Sequence, residues 1–156
     1  MTMPNATLGT LLRSLLDQLD PAVEAEYAKL GLDYRPRFTP VIRALAKGGP
    51  MRIKDIAAGS GLSHSAVSQT VTALVARDWV RLEAGEDSRE RIVHLTGYAK
   101  AQLPRLKRQW DATAKAAASL DADLGLPLEQ VLRDALAALE KTSFAQRLER
   151  ARRMSR

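Results

Sequence analysis

Leu8, Leu11, Leu12, Leu15, Leu16 and Leu19 recur at three- and four-residue spacing, which lays a single apolar stripe along a helix. Asp20-Pro21 then either kinks this helix or caps a new one with the proline in its first turn. The helical pattern resumes from Ala22 to Leu30 and stops at Gly31, and the prolines of LDYRPRFTP mark a loop. A short helix starts at Arg37 or Thr39, runs through Val41, Ile42, Leu45 and Ala46, and ends at Gly48, Gly49 and Pro50. A helix from about Ile53 to Gly59, a turn at Gly61-Leu62-Ser63 and a second helix to about Arg77 come next. WVRLEA is β-branched and apolar enough for a strand, GEDS is turn-like, and RERIVHL alternates as a second strand. After Thr96 an alanine- and leucine-rich helix reaches about Leu120, with Pro104 a candidate kink. Gly125 and Pro127 break it, and a final helix runs from about Leu128 to Arg150. No internal repeat or low-complexity linker interrupts the order of helices, small hairpin, helices.

The stretch IKDIAAGSGLSHSAVSQTV has a spacing with a mechanical reading. Ala57 is small where the first helix must pass close to the second, and Gly61 suits a tight turn in which positive φ is cheap. Leu62 is expected to plug the corner, and Ser63 to cap the second helix through its hydroxyl. Val67, Val71 and Leu74 face the core at helical spacing, met by Ile53 and Ile56. The pattern is that of a helix-turn-helix, whose second helix lies in the DNA major groove; the bland alternative is a helical hairpin that merely packs. The outward face favours the first, because His64, Ser65, Ser68, Gln69 and Thr72 present donors and acceptors suited to base edges and phosphates. The hairpin that follows carries Asp87, Arg89 and Arg91 at its tip, as a basic wing entering a minor groove would.

Composition narrows the classes. A chain of 156 residues with 46% hydrophobic residues can bury one core, and with 4% aromatics that core is built from Leu, Ala, Val and Ile, which favours helix. Lys and Arg number 24 against 18 acidic residues, a net charge of +6 that suits an anionic partner. The absence of Cys excludes disulfides, thiolate metal sites and cysteine catalysis. The N-terminus has no basic leader or long apolar run, so a cytoplasmic protein without a membrane span is expected. His64 and His94 sit in no metal or catalytic spacing and KGGPM lacks the rest of a P-loop, so neither an enzyme nor a cofactor is expected.

The order of helices, the turn GLSHSAVSQTV, the wing with Asp-x-Arg-x-Arg and the closing Leu95-Thr96-Gly97 resemble the multiple antibiotic resistance regulator (MarR) family of bacterial transcription factors. The motif match covers residues 38 to 103; the flanking helices match in layout. The resemblance implies a mainly α fold with a small β-hairpin wing, a winged helix-turn-helix with N- and C-terminal dimerisation helices. Residues 1–156 would form a single domain, with the winged core at about 38–95 and the dimerisation helices at about 5–31 and 96–152. It also implies a sequence-specific, ligand-responsive homodimeric repressor of double-stranded DNA, released by a small-molecule effector. Ser63 to Thr72 would enter the major groove and Arg89 the minor groove, with Asp87 orienting Arg89 from two residues away.

Two departures from the family pattern matter. Positions 64 to 76 carry no Arg or Lys, so phosphate affinity falls to Arg52, Lys54, Arg77, Arg81, Arg89 and Arg91. Asp78 stands where relatives usually have Gly, and Asp tolerates the left-handed conformation better than most residues. The rival class is a winged helix that serves as a protein-interaction module without specific DNA binding. The family analogy would also allow Tyr27, Tyr34, Phe38, Trp79 and Trp110 to line an effector pocket, although core anchoring is the commoner use of aromatics in so aromatic-poor a chain. The basic tail RLERARRMSR reads as a solvated helix end.

Overall fold

Thr7 opens the first helix: its hydroxyl accepts the Thr10 amide at 3.2 Å and caps α1 (Leu8–Lys29). These positions come from a computed structural model that describes residues 5–87 and 89–154. α1 runs unbroken through Pro21. Proline removes one intrahelical bond, but Asp17 and Pro21 both face solvent, where water satisfies the freed carbonyl. The helix ends where expected, with Gly31 at φ 70°, and the Arg105 guanidinium donates to the Leu30 carbonyl at its C-terminus.

The chain divides into two compact units, residues 1–110 and 111–156. In the first, a 3-10 turn (Pro36–Phe38) leads into α2 (Thr39–Gly48), followed by β1 (Met51–Arg52), α3 (Ile53–Ser60) and α4 (His64–Val75). β2 (Val80–Ala84) and β3 (Arg91–Leu95) form the hairpin, and α5 (Gly97–Leu124) begins in this unit. The sheet has three strands in the order β1-β3-β2, all antiparallel, with Met51 opposite Val93 and Leu82 opposite Val93 on the other side. β1 is too short to leave an alternation in the sequence, so the hairpin expected there turns out to be anchored on both flanks of β3.

One core holds this unit together. Val41, Ile42 and Leu45 from α2, Ile56 from α3, and Val67, Val71 and Leu74 from α4 are buried with Val80, Val93 and Leu106. Burying side chains of this size is worth about 1.5–3 kcal/mol each. The aromatics complete it in edge-to-face contacts: Tyr27 on Tyr34 at 4.6 Å, Tyr34 on Trp79 at 5.0 Å, and Trp79 on Tyr98 at 5.1 Å between ring centroids.

The second unit takes the rest of α5 and then α6 (Leu128–Lys141) and α7 (Phe144–Met154). The single final helix expected from Leu128 to Arg150 is therefore two. Thr142 is extended (φ −141°, ψ 105°), and Ser143 opens α7 with a reciprocal cap. Its hydroxyl accepts the Gln146 amide at 3.3 Å while the Gln146 side chain accepts the Ser143 amide at 2.9 Å. The Ser-x-x-Gln spacing carries that signal, and it lay hidden inside an unbroken apolar period. Neither α6 nor α7 buries a residue; Val131, Leu132, Leu136, Leu139, Phe144 and Leu148 are all exposed. Among the described residues no helix is long and apolar enough to cross a membrane.

Candidate nucleic-acid interface

The corner between α3 and α4 is built as the spacing predicts. Gly61 adopts φ 69°, ψ 11°, a conformation that penalises a Cβ, and its amide closes α3 on the Ala57 carbonyl. Ser63 is extended, and its Oγ accepts the Ala66 amide at 3.1 Å, which starts α4. Leu62 differs from expectation. It is 37% exposed rather than plugging the corner: it follows the left-handed Gly61, and the buried apolar residues of the two helices nearest the turn are Ile56 and Val67.

α4 sorts its residues cleanly. Val67, Thr70, Val71 and Leu74 point inward; His64, Ser65, Gln69 and Thr72 are exposed and Ser68 is half-buried. The Thr72 hydroxyl donates to the Ser68 carbonyl at 3.0 Å, which leaves its lone pairs facing outward as acceptors. The exposed face is thus uncharged and rich in hydrogen-bonding groups.

Beside it stands the hairpin. Gly85 and Glu90 close its end, the Gly85 amide donating to the Glu90 carbonyl at 2.9 Å. Asp87 accepts the Arg89 backbone amide at 3.0 Å, so it shapes the turn and thereby the direction of Arg89, rather than gripping the guanidinium. Arg89 and Arg91 are exposed and have no carboxylate partner among the described residues. The other cations nominated for phosphates are engaged. Arg52 pairs with Glu90 at 2.8 Å and with Asp55 at 3.1 Å, and both carboxylates raise its pKa further. Lys54 lies 3.6 Å from Glu90, and Arg81 pairs with Glu83. Arg77 turns inward: its Nε meets Asp33 at 3.2 Å and its Nη1 donates to the Ala73 carbonyl at 3.1 Å. Glu90 and Asp33 were not singled out in the sequence, since each meets its partner only across a long stretch of chain.

Tyr27, Tyr34, Phe38, Trp79 and Trp110 are all buried and belong to the core. The physical reason is scarcity: with few aromatics available, the rings of α1 (Tyr27), of the segment before α2 (Tyr34, Phe38), of the α4–β2 connection (Trp79) and of α5 (Trp110) serve the core. Burial pushes the Tyr34 phenol well above its usual range, and Tyr34 donates to Thr39 at 3.2 Å. Arg43 stacks over Trp110 at 4.7 Å. A separate open depression of about 250 Å³ is lined by Leu45, Ala46, Gly49, Pro50, His94, Leu95, Lys100 and Leu103. Desolvation, then Arg81 and Lys100, lower the His94 pKa; the Glu83 carboxylate 3.0 Å away acts in the opposite sense but is shared with Arg81.

A helix-turn-helix followed at once by a hairpin held against the same core defines a winged helix-turn-helix protein. Residues 36–90 match the model of the MarR family. Solved structures agree on the fold. The M. tuberculosis transcriptional regulator MOSR, solved with DNA, is 19% identical with a TM-score of 0.67, covering 90% of this chain and 98% of its own. BpsR of Bordetella bronchiseptica, described through regulation of its DNA binding by 6-hydroxynicotinic acid, is 17% identical with a TM-score of 0.63, covering 92% and 99%. A mutant MarR from E. coli is 19% identical with a TM-score of 0.54, covering 86% and 99%. No curated protein sequence matches the chain.

Proposed function

We propose that this protein is a homodimeric, sequence-specific regulator of transcription that binds double-stranded DNA, acting as a repressor that a small organic effector releases. The observation that carries the reading is the pairing of two surfaces on one compact unit: the hydrogen-bonding face of α4 and the exposed wing arginines, which have no carboxylate partner among the described residues. In this reading α4 enters the major groove, where Gln69 suits the paired donor and acceptor of adenine. His64, Ser65, Ser68 and Thr72 contact neighbouring edges and phosphates, with the amides at the start of α4 available to a phosphate oxygen. Arg89 enters the minor groove and Arg91 follows the backbone beside it. Ser63 serves the helix it caps. The likeness to MOSR, solved with DNA, supports the nucleic-acid partner, and that to BpsR supports an effector. The regulator works in the cytoplasm and carries out no catalysis.

The test begins with the duplex that the wild-type protein enriches from a randomised pool. Gln69→Ala is expected to cost about 1–3 kcal/mol on that duplex and to relax discrimination at one position per half-site. Arg89→Ala is expected to weaken binding to selected and scrambled duplexes alike and to flatten the salt dependence by about one unit per subunit. If neither change alters DNA affinity, the α4 face has another purpose and the proposal is wrong.

A further inference from the structure

Arg77 follows α4 directly, at the place from which a cation would reach a phosphate beside the recognition helix. The structure points it elsewhere. Its Nε lies 3.2 Å from the Asp33 carboxylate, its Nη1 donates to the Ala73 carbonyl at 3.1 Å, and its guanidinium carbon sits 5.6 Å from the centre of the Phe38 ring. Only 23% of its side chain is exposed.

Asp33 holds a second residue of the same corner. Its carbonyl accepts the Trp79 indole N–H at 3.0 Å, so one residue of the loop after α1 grips both sides of Asp78. Asp78 itself is left-handed (φ 58°), the bend by which the chain leaves α4 and enters β2. On the far side its carbonyl accepts the Thr96 hydroxyl at 2.6 Å. The exit of α4 is therefore clamped from two directions. Val67, Val71 and Leu74 seat α4 in the core, and the clamp at its exit fixes the angle at which its outward face is presented.

We propose that Asp33 and Arg77 form a positioning pair that sets the angle of α4 on its scaffold, and that Arg77 is not a phosphate contact. The proposal rests on the DNA-binding reading above. A bent, stacked and forked arrangement needs the guanidinium, since a lysine has no planar fork to divide between a carboxylate and a carbonyl. Asp33 is 74% exposed, so replacing it removes the partner without opening the core.

The two roles predict opposite results for Asp33→Asn. As a positioning pair, its loss weakens binding to the selected duplex by about three- to fivefold. Affinity for a scrambled duplex and the salt slope stay at wild-type values, and Asp33→Glu restores most of the loss. Arg77→Lys, which keeps the charge, shows the same selective defect. As a phosphate contact, Arg77 would be released by Asp33→Asn and both duplexes would bind more tightly, while Arg77→Lys would behave as wild type and Arg77→Ala would lower the salt slope by about one. That pattern overturns the pair, and so do variants indistinguishable from wild type on both duplexes. A parallel loss on both duplexes that follows a lowered melting temperature in Asp33→Asn and Asp33→Glu alike also overturns it, because it marks a merely structural role. If the wild-type protein enriches no duplex, the DNA reading itself fails and takes the pair with it.

Discussion

Single residues explain why the helix-turn-helix was readable and where reading stopped. Gly61 and Ser63 act through their own backbone and hydroxyl, so their roles follow from residue type and spacing alone. Asp78 belongs with them: an L-residue at φ 58° carries a steric cost that Asp bears better than most. Asp78→Val is expected to destabilise the protein by about 1–2 kcal/mol, and Asp78→Gly to be neutral or stabilising by up to about 1 kcal/mol, as read by denaturant unfolding. A Val variant as stable as Gly would show that this bend stores no strain. Arg77, by contrast, reads as a surface cation until its partner is known. Asp33 stands 44 positions away, and no local pattern announces that the two meet. The same holds for Arg52 and Glu90, separated by 38.

Elements follow the same division. α4 was legible because one face of it is buried and burial imposes a period, whereas β2 and β3, which bury only Val80 and Val93, were legible from apolar and β-branched residues on either side of a turn. Where the period continued, boundaries vanished: the apolar spacing of α6 flows into α7, and Thr142-Ser143 passed as helix interior. Proline misled in the other direction at Pro21, which sits inside an exposed helix that tolerates it. The candidate site was legible as a surface, through the polar run from His64 to Thr72, but its surroundings were not, because ion pairs decide which cations are free. The cap that separates α6 from α7 is open to test. Ser143→Ala is expected to cost about 1 kcal/mol and to reduce helicity by circular dichroism at the start of α7, whereas Ser143→Asp keeps it. Equal helicity in the Ala variant would show that the break between the helices is held by other contacts, such as Arg147 on the Thr142 and Ala138 carbonyls.

For the molecule as a whole, the exposed leucines are the governing fact. Leu8, Leu11, Leu12, Leu16 and Leu19 on α1 lie bare, as does the apolar face of α6. A lone chain has no use for either, and the proposed dimer covers them. Sedimentation equilibrium is expected to show a dimer at micromolar concentration, and Leu12→Asp or Leu136→Asp to dissociate it and weaken DNA binding, since two half-sites need two linked recognition helices. A wild-type monomer at that concentration would contradict this. That α6 and α7 bury nothing of their own has a further consequence. Short helices without tertiary burial are marginal in water, so in the proposed dimer α6 and α7 would take their order from the partner copy, and dilution would act on them as a denaturant does. Susceptibility of this segment to proteases is then expected to rise as the protein is diluted.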